Sequence, residues 1–225
     1  MRIHDVELLA GDLAAQNDFY GRVLDLPVLH SDSASLAIGI GTSRLVFHAA
    51  PDGWHGIYHV AFNIPENQLD AARQWLSARV PPLASADGTD TFFFPDWNAQ
   101  AVYFADPAGN ILELIARHTL PTADDRPISA ASLLSISEIG LAAADVPATV
   151  QELHTALSVP IYRGAGSPDF TAVGDEEGLL IVVRRGRGWF PDFTRLAELC
   201  PTTVTISSSD GSRHRIDGPP WAVVS

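Results

Sequence analysis

Within 225 residues, 27 acidic side chains stand against 14 basic ones, a formal net charge of -13, and no basic stripe exists to neutralise phosphates, which argues against nucleic-acid and anionic-membrane partners. All the basic residues are Arg and none is Lys, which removes any lysine Schiff-base or lysine general-base chemistry. A hydrophobic content of 46% with dispersed Gly and Pro describes a folded chain of one large domain or two small ones; Cys200 is alone, Met1-Arg-Ile-His-Asp lacks the apolar core of a signal peptide and no transmembrane run occurs, so a cytoplasmic protein is expected.

In chain order, residues 3–10 predict a strand, 12–24 a helix with Asp12 as its N-cap, and 26–29 the start of another strand, followed by strands over 35–40 and 44–49 joined at Gly41-Thr-Ser. The pattern then restarts. Residues 59–64 read as a strand, 66–79 as a helix carrying Leu69, Ala72, Arg73 and Leu76 at helical spacing, and 91–94, 101–105 and 111–116 as strands. Asp106-Pro-Ala-Gly between the last two places Pro second and Gly fourth, the composition of a hairpin turn. After a linker over 119–133, rich in Pro and acid, a third copy begins. Glu138-Ile-Gly-Leu-Ala-Ala-Ala-Asp145 mirrors Asp5-Val-Glu-Leu-Leu-Ala-Gly-Asp12, and Pro27 and Pro160 follow their Asp at the same spacing. Strands are predicted at 161–162, 170–173, 178–183 and 203–207, with a last one at 222–224 and no fourth helix.

Alternation along a strand puts Ile111, Glu113 and Ile115 on one face, so Glu113 is a carboxylate among hydrophobes and needs a partner. His59, Ala61 and Asn63 share a face of their strand, and an imidazole and a carboxylate on two strands of one curved sheet can converge on a single divalent ion such as Fe, Zn, Mn, Ni or Co. Trp97, Asn98 and Tyr103 each carry a polar atom beside an aromatic stretch and are candidate substrate contacts, with Asn63 as another; Tyr103 is also a candidate proton donor. Phe92, Phe93 and Phe94 read as core. The Arg184-Arg-Gly-Arg-Gly-Trp-Phe segment reads as a charged loop turning away, with an anion site as the alternative.

His59-Val-Ala-Phe62 together with Asp106-Pro-Ala-Gly-Asn-Ile-Leu-Glu113 resembles the signature of the vicinal oxygen chelate superfamily, which includes glyoxalases, extradiol dioxygenases, fosfomycin-resistance enzymes and bleomycin-binding proteins. The resemblance implies an α+β fold of tandem βαβββ modules forming a curved mixed sheet around a cup. Two modules over 1–118 would share one cup, and 134–225 would hold a third module and a truncated remnant. It also implies that His59 and Glu113 ligate the metal. The corresponding first-strand position of module one falls on Asp5, or on His4 if the register shifts by one, and His48 is the candidate from its last strand. Glu138 holds the first-strand position of module three, but Val182 stands where Glu113 would, which argues against a second metal site. The expected protein is a metalloenzyme acting on a small oxygen-chelating substrate, with Glu113 and Tyr103 as catalytic candidates. A metal-free drug- or toxin-binding protein is the alternative, and a homodimer is open because such modules also pair between chains.

Overall fold

The computed structural model describes residues 1–164, 166–208 and 210–224. Module one comprises β1 (Arg2–Ala10), a helix α1 (Leu13–Asn17) that continues as a π-helical turn over Asp18–Val23, β2 (Val28–Ser31), β3 (Ser35–Ile40) and β4 (Ser43–Ala49). Asp12 caps α1, its Oδ1 accepting from the Ala15 amide at 2.9 Å. Module two is β5 (His59–Ile64), α2 (Leu69–Ser77), β6 (Thr91–Phe94), β7 (Ala99–Ala105) and β8 (Ile111–Arg117). The third module is β9 (Ser135–Ala143), α3 (Val146–Leu157), β10 (Phe170–Asp175) and β11 (Gly178–Arg184), and the remnant is β12 (Thr202–Ser207), β13 (Arg213–Gly218) and β14 (Ala222–Val224).

Three local expectations change. The second helix starts at Leu69 rather than residue 66, because Gln68 sends its side-chain amide to the carbonyls of Asp124 and Arg126 and pins the linker instead. Residues 161–162 make only an isolated bridge from Ile161 to Val173. The β13 strand has no forecast, since in Arg-His-Arg-Ile-Asp-Gly only Ile216 is buried and gives no period to read. The repeated prolines do equivalent work: the Pro27 carbonyl accepts from the Gly39 amide at 2.8 Å, and that of Pro160 from the Gly174 amide at 2.9 Å.

Two seven-stranded sheets result, one ordered β14-β13-β12-β1-β4-β3-β2 and the other β10-β11-β9-β5-β8-β7-β6. Modules one and two therefore do not share a sheet, contrary to the expectation for 1–118. Module one joins the remnant through antiparallel β1 and β12, and module two joins module three through antiparallel β5 and β9. Each module offers one free edge on its first strand, and which partner takes it is a long-range choice that alternation within a strand does not encode. The inward faces of both sheets and the three helices bury one continuous apolar core that includes Val6, Leu8, Tyr20, Phe47, Phe62, Leu114, Ile139 and Val182. A second cluster, with Ala61, Tyr103, Ile111, Ile115, Ile181 and Trp189, lies on the other face of the module two and three sheet, and this is the face of the cup. Within the described residues no helix is long and apolar enough to cross a membrane.

Candidate metal centre

The Asp106-Pro-Ala-Gly-Asn turn fixes the register on which the site depends. Asp106 Oδ1 accepts from the amides of Ala108 and Asn110, and Gly109 closes the turn at φ +85°, a conformation suited to glycine. Asn110 Oδ1 then accepts from the Tyr58 amide at 2.9 Å, while the Ile111 amide donates to the Tyr58 carbonyl at 2.8 Å. Parallel β5 and β8 are thereby locked with His59 beside Ile111 and Ala61 beside Glu113. On its other edge β5 pairs with β9, and there Ala61 stands beside Glu138. Glu113, Ala61 and Glu138 thus form one row across three strands, and the methyl of Ala61 leaves the space between the two carboxylates open.

His59 reaches over that space. Its Nε2 lies 3.6 Å from Glu113 Oε2 and 3.7 Å from Glu138 Oε2, too far for hydrogen bonds, and its Nδ1 is buried without a hydrogen-bond partner among the described residues. The three residues are 7%, 2% and 3% exposed, and one donor atom from each falls within 4.8 Å of the others. Burial, and next the charge of Glu138, hold the Glu113 carboxyl well above its usual range, while the Tyr103 hydroxyl and Arg117 pull it partway back. Two buried carboxylates and an imidazole that converge without bonding one another are a donor set for a divalent cation, and oxygen-rich sets of this kind suit several first-row ions.

The walls are aromatic. Phe94, Trp97, Tyr103, Phe170, Trp189 and Phe190 surround a cavity of about 320 Å³ above the three donors. The Arg-Gly-Arg-Gly-Trp-Phe segment does not turn away as expected but folds back over the cup, where Trp189 packs on the His59 ring at 5.3 Å and Phe190 meets Tyr103 at 5.1 Å. Gly140, beside His59 in the register, makes this cover fit: a Cβ there would come within 2.4 Å of the Trp189 ring. Arg187 lines the same cavity with its guanidinium 5.2 Å from the Phe170 ring, and burial lowers its pKa.

The sequence-predicted site residues divide. His59 and Glu113 come together, and Tyr103 and Trp97 line the cavity. Asp5 is in the other sheet, bonded to Arg44 at 2.5 Å, because β1 pairs with the remnant rather than with β5. A bulge at residues 3–5 turns His4 to the Ser207 hydroxyl at 2.9 Å, and His48 pairs with Glu7 at 2.9 Å; neither approaches His59. Asn98 is exposed and serves as a left-handed turn residue at φ 46°, and Asn63 bonds Ser135 Oγ at 3.3 Å away from the cavity lining. Glu138 is the ligand candidate that sequence reasoning did not bring into this cup, although its first-strand position in module three was the available signal. The counterpart of Glu113 in module three is Ile181, beside Gly140, and not Val182, which points into the core.

No family model and no curated protein sequence matches the chain. Solved structures do. A Bacillus subtilis protein provisionally described as a dioxygenase is 16% identical, with 94% of this chain and 72% of that one aligned at a TM-score of 0.63. Glyoxalase I from Zea mays is 14% identical over 99% of this chain and 91% of its own at 0.56, and its V278E mutant aligns at 0.55 with 14% identity over 99% and 90%. These likenesses show that the chain shares the fold of those glyoxalase and dioxygenase structures, in keeping with its βαβββ modules.

Proposed function

We propose that this protein is a metalloenzyme of the glyoxalase and dioxygenase kind, in which His59, Glu113 and Glu138 hold one divalent ion and a small substrate chelates it through two oxygens. One observation carries the reading: three buried donors converge within 4.8 Å, and His59 forms no hydrogen bond to either carboxylate. A bound divalent ion supplies Lewis acidity toward the substrate oxygens. The chain's own residues do the rest. An ion held by these three residues would keep coordination positions for substrate, and the aromatic walls favour a flat or apolar substrate body. Tyr103, with its pKa raised well above the phenol range by burial and by Glu113, keeps its proton on a hydroxyl that faces Glu113, and a substrate oxygen bound beside that carboxylate would compete for the hydrogen bond. Arg187, whose guanidinium donates to the Gly188 carbonyl at 3.2 Å and lines the cavity, would meet an anionic substituent.

The test is elemental analysis of protein purified without chelator and then supplied with Zn, Fe, Mn, Ni or Co in turn, beside His59→Ala. Stoichiometric metal in the wild type and its loss in the variant are expected, since a three-donor site retains little affinity once one ligand is removed. A wild type that takes up none of these ions would leave the metal-free binding protein as the better reading.

A further inference from the structure

Arg117 ends β8 on the cup face, two positions beyond Ile115 and four beyond Glu113, and is fully buried. Burial of a guanidinium away from water is costly unless it is paired. Here a bulge between Ala61 and Phe62 in the β5 and β9 pairing adds one residue to β9, so that Ser137 and Glu138 both turn toward the arginine. The Nε of Arg117 donates to Ser137 Oγ at 3.1 Å, and its Nη2 donates to Glu138 Oε1. The rings of Trp97 and Tyr162 lie 5.6 Å and 5.9 Å from the guanidinium carbon and hold its plane. Glu138 is therefore divided between two tasks. Its Oε1 is engaged by Arg117, and its Oε2 is the atom 3.7 Å from His59 Nε2.

We propose that Arg117 is a positioning residue that makes Glu138 a one-oxygen metal ligand, which keeps adjacent coordination positions open for a chelating substrate. The proposal rests on the metal reading given above. It also accounts for the charge of the donor set. With His59 counted as a neutral ligand, two carboxylates and one guanidinium sum to -1, the charge of a set with two histidines and one carboxylate, so Arg117 lets a second glutamate stand where a neutral ligand would otherwise serve. Ser137 supports the arginine from the other edge, and Trp97 contributes by clamping it as well as by lining the cavity.

The test uses full-length protein loaded with Co²⁺ and titrated with acetohydroxamate, a small two-oxygen chelator. In Arg117→Met both Glu138 oxygens are free to bind, so the visible Co²⁺ absorption loses intensity as coordination number rises, and acetohydroxamate affinity falls by about tenfold or more. Arg117→Lys, which keeps a cation within reach of Oε1, recovers part of both changes. Should Arg117→Met fail to fold, Ser137→Ala, which removes only the Nε acceptor, carries the test and shifts both readouts the same way by less. A purely structural arginine would lower the thermal midpoint and leave spectrum and chelator affinity alone, so either readout unchanged in a folded, Co²⁺-loaded variant overturns the proposal. Absence of Co²⁺ uptake by the wild type would instead overturn the metal reading itself, and the two failures are distinct.

Discussion

Glu113 and Glu138 face each other across the methyl group of Ala61, one on each strand that flanks β5, and both direct an oxygen toward the same imidazole. The smallest chiral side chain at position 61 is what permits this. Ala61→Leu should insert a branched side chain between the carboxylates, cost about 1–3 kcal/mol of stability through overpacking and remove metal binding while the sheets persist. Calorimetry with metal analysis checks both, and normal metal binding by the Ala61→Leu variant would contradict the placement of the row.

Gly140 makes the equivalent allowance for the cover of the cup. A Cβ at this position meets the Trp189 ring at 2.4 Å and the Cβ of His59 at 3.1 Å. Gly140→Ala should displace Trp189 from His59, visible as a shift in tryptophan emission, with a loss of about 1–3 kcal/mol. Emission and thermal midpoint both equal to wild type would show that the ring does not rest there.

The state of Glu113 gives a pH dependence with a defined sign. Its folded-state pKa is raised, first by burial and then by Glu138, so without metal the protonated carboxyl favours the folded protein at low pH, and that contribution is lost as pH rises from the ordinary carboxylate range through the raised value. The metal-free protein should therefore lose thermal stability as pH rises above the ordinary carboxylate range, with a shallower loss in Glu113→Gln. Adding the ion should reverse the trend in the wild type only, because the amide is a poor ligand. Identical pH profiles for the two proteins would show that Glu113 is not the titrating group.

Cys200 is expected to be inert. Burial, reinforced by the nearby Glu198, pushes its thiol up to about 11, and Gly56 packs so closely that a Cβ there would lie 2.6 Å from the sulfur. Labelling by a disulfide reagent at neutral pH should be slow in the native protein and immediate on unfolding. Fast native labelling would contradict the burial of this thiol.

Removing the carboxylate of Asp106 should loosen the joint between module one and the hairpin. Gln16 Nε2 and the Tyr20 hydroxyl of module one donate to Asp106 Oδ2 at 3.0 Å and 3.1 Å, and Asn110 Nδ2 joins them at 2.8 Å. Asp106→Ala leaves these buried donors unpaired at a cost of about 1–3 kcal/mol, read as a lower denaturant midpoint. An unchanged midpoint would mean that water replaces the carboxylate.

Much of this was legible in the residues. The strand-helix-strand cadence and the mirrored segments ending at Asp12 and Asp145 follow from local periodicity and turn chemistry, which act over a few residues, while His59 and Glu113 were singled out as one site by the family resemblance of the two motifs that carry them. The partner of β5 did not. Alternation states which side chains share a face but is silent about which distant strand takes a free edge, and the whole identity of the third donor turned on that edge. With β9 there, Glu138 enters the cup and Arg117 finds a carboxylate; with β1 there, Asp5 would have done so, and instead it bonds Arg44 in the other sheet. The sequence by itself determined the modules and singled out His59 and Glu113, while the tertiary pairing of edges, settled by burial of the common core between the sheets, decided the cup, its second carboxylate and the arginine that holds it.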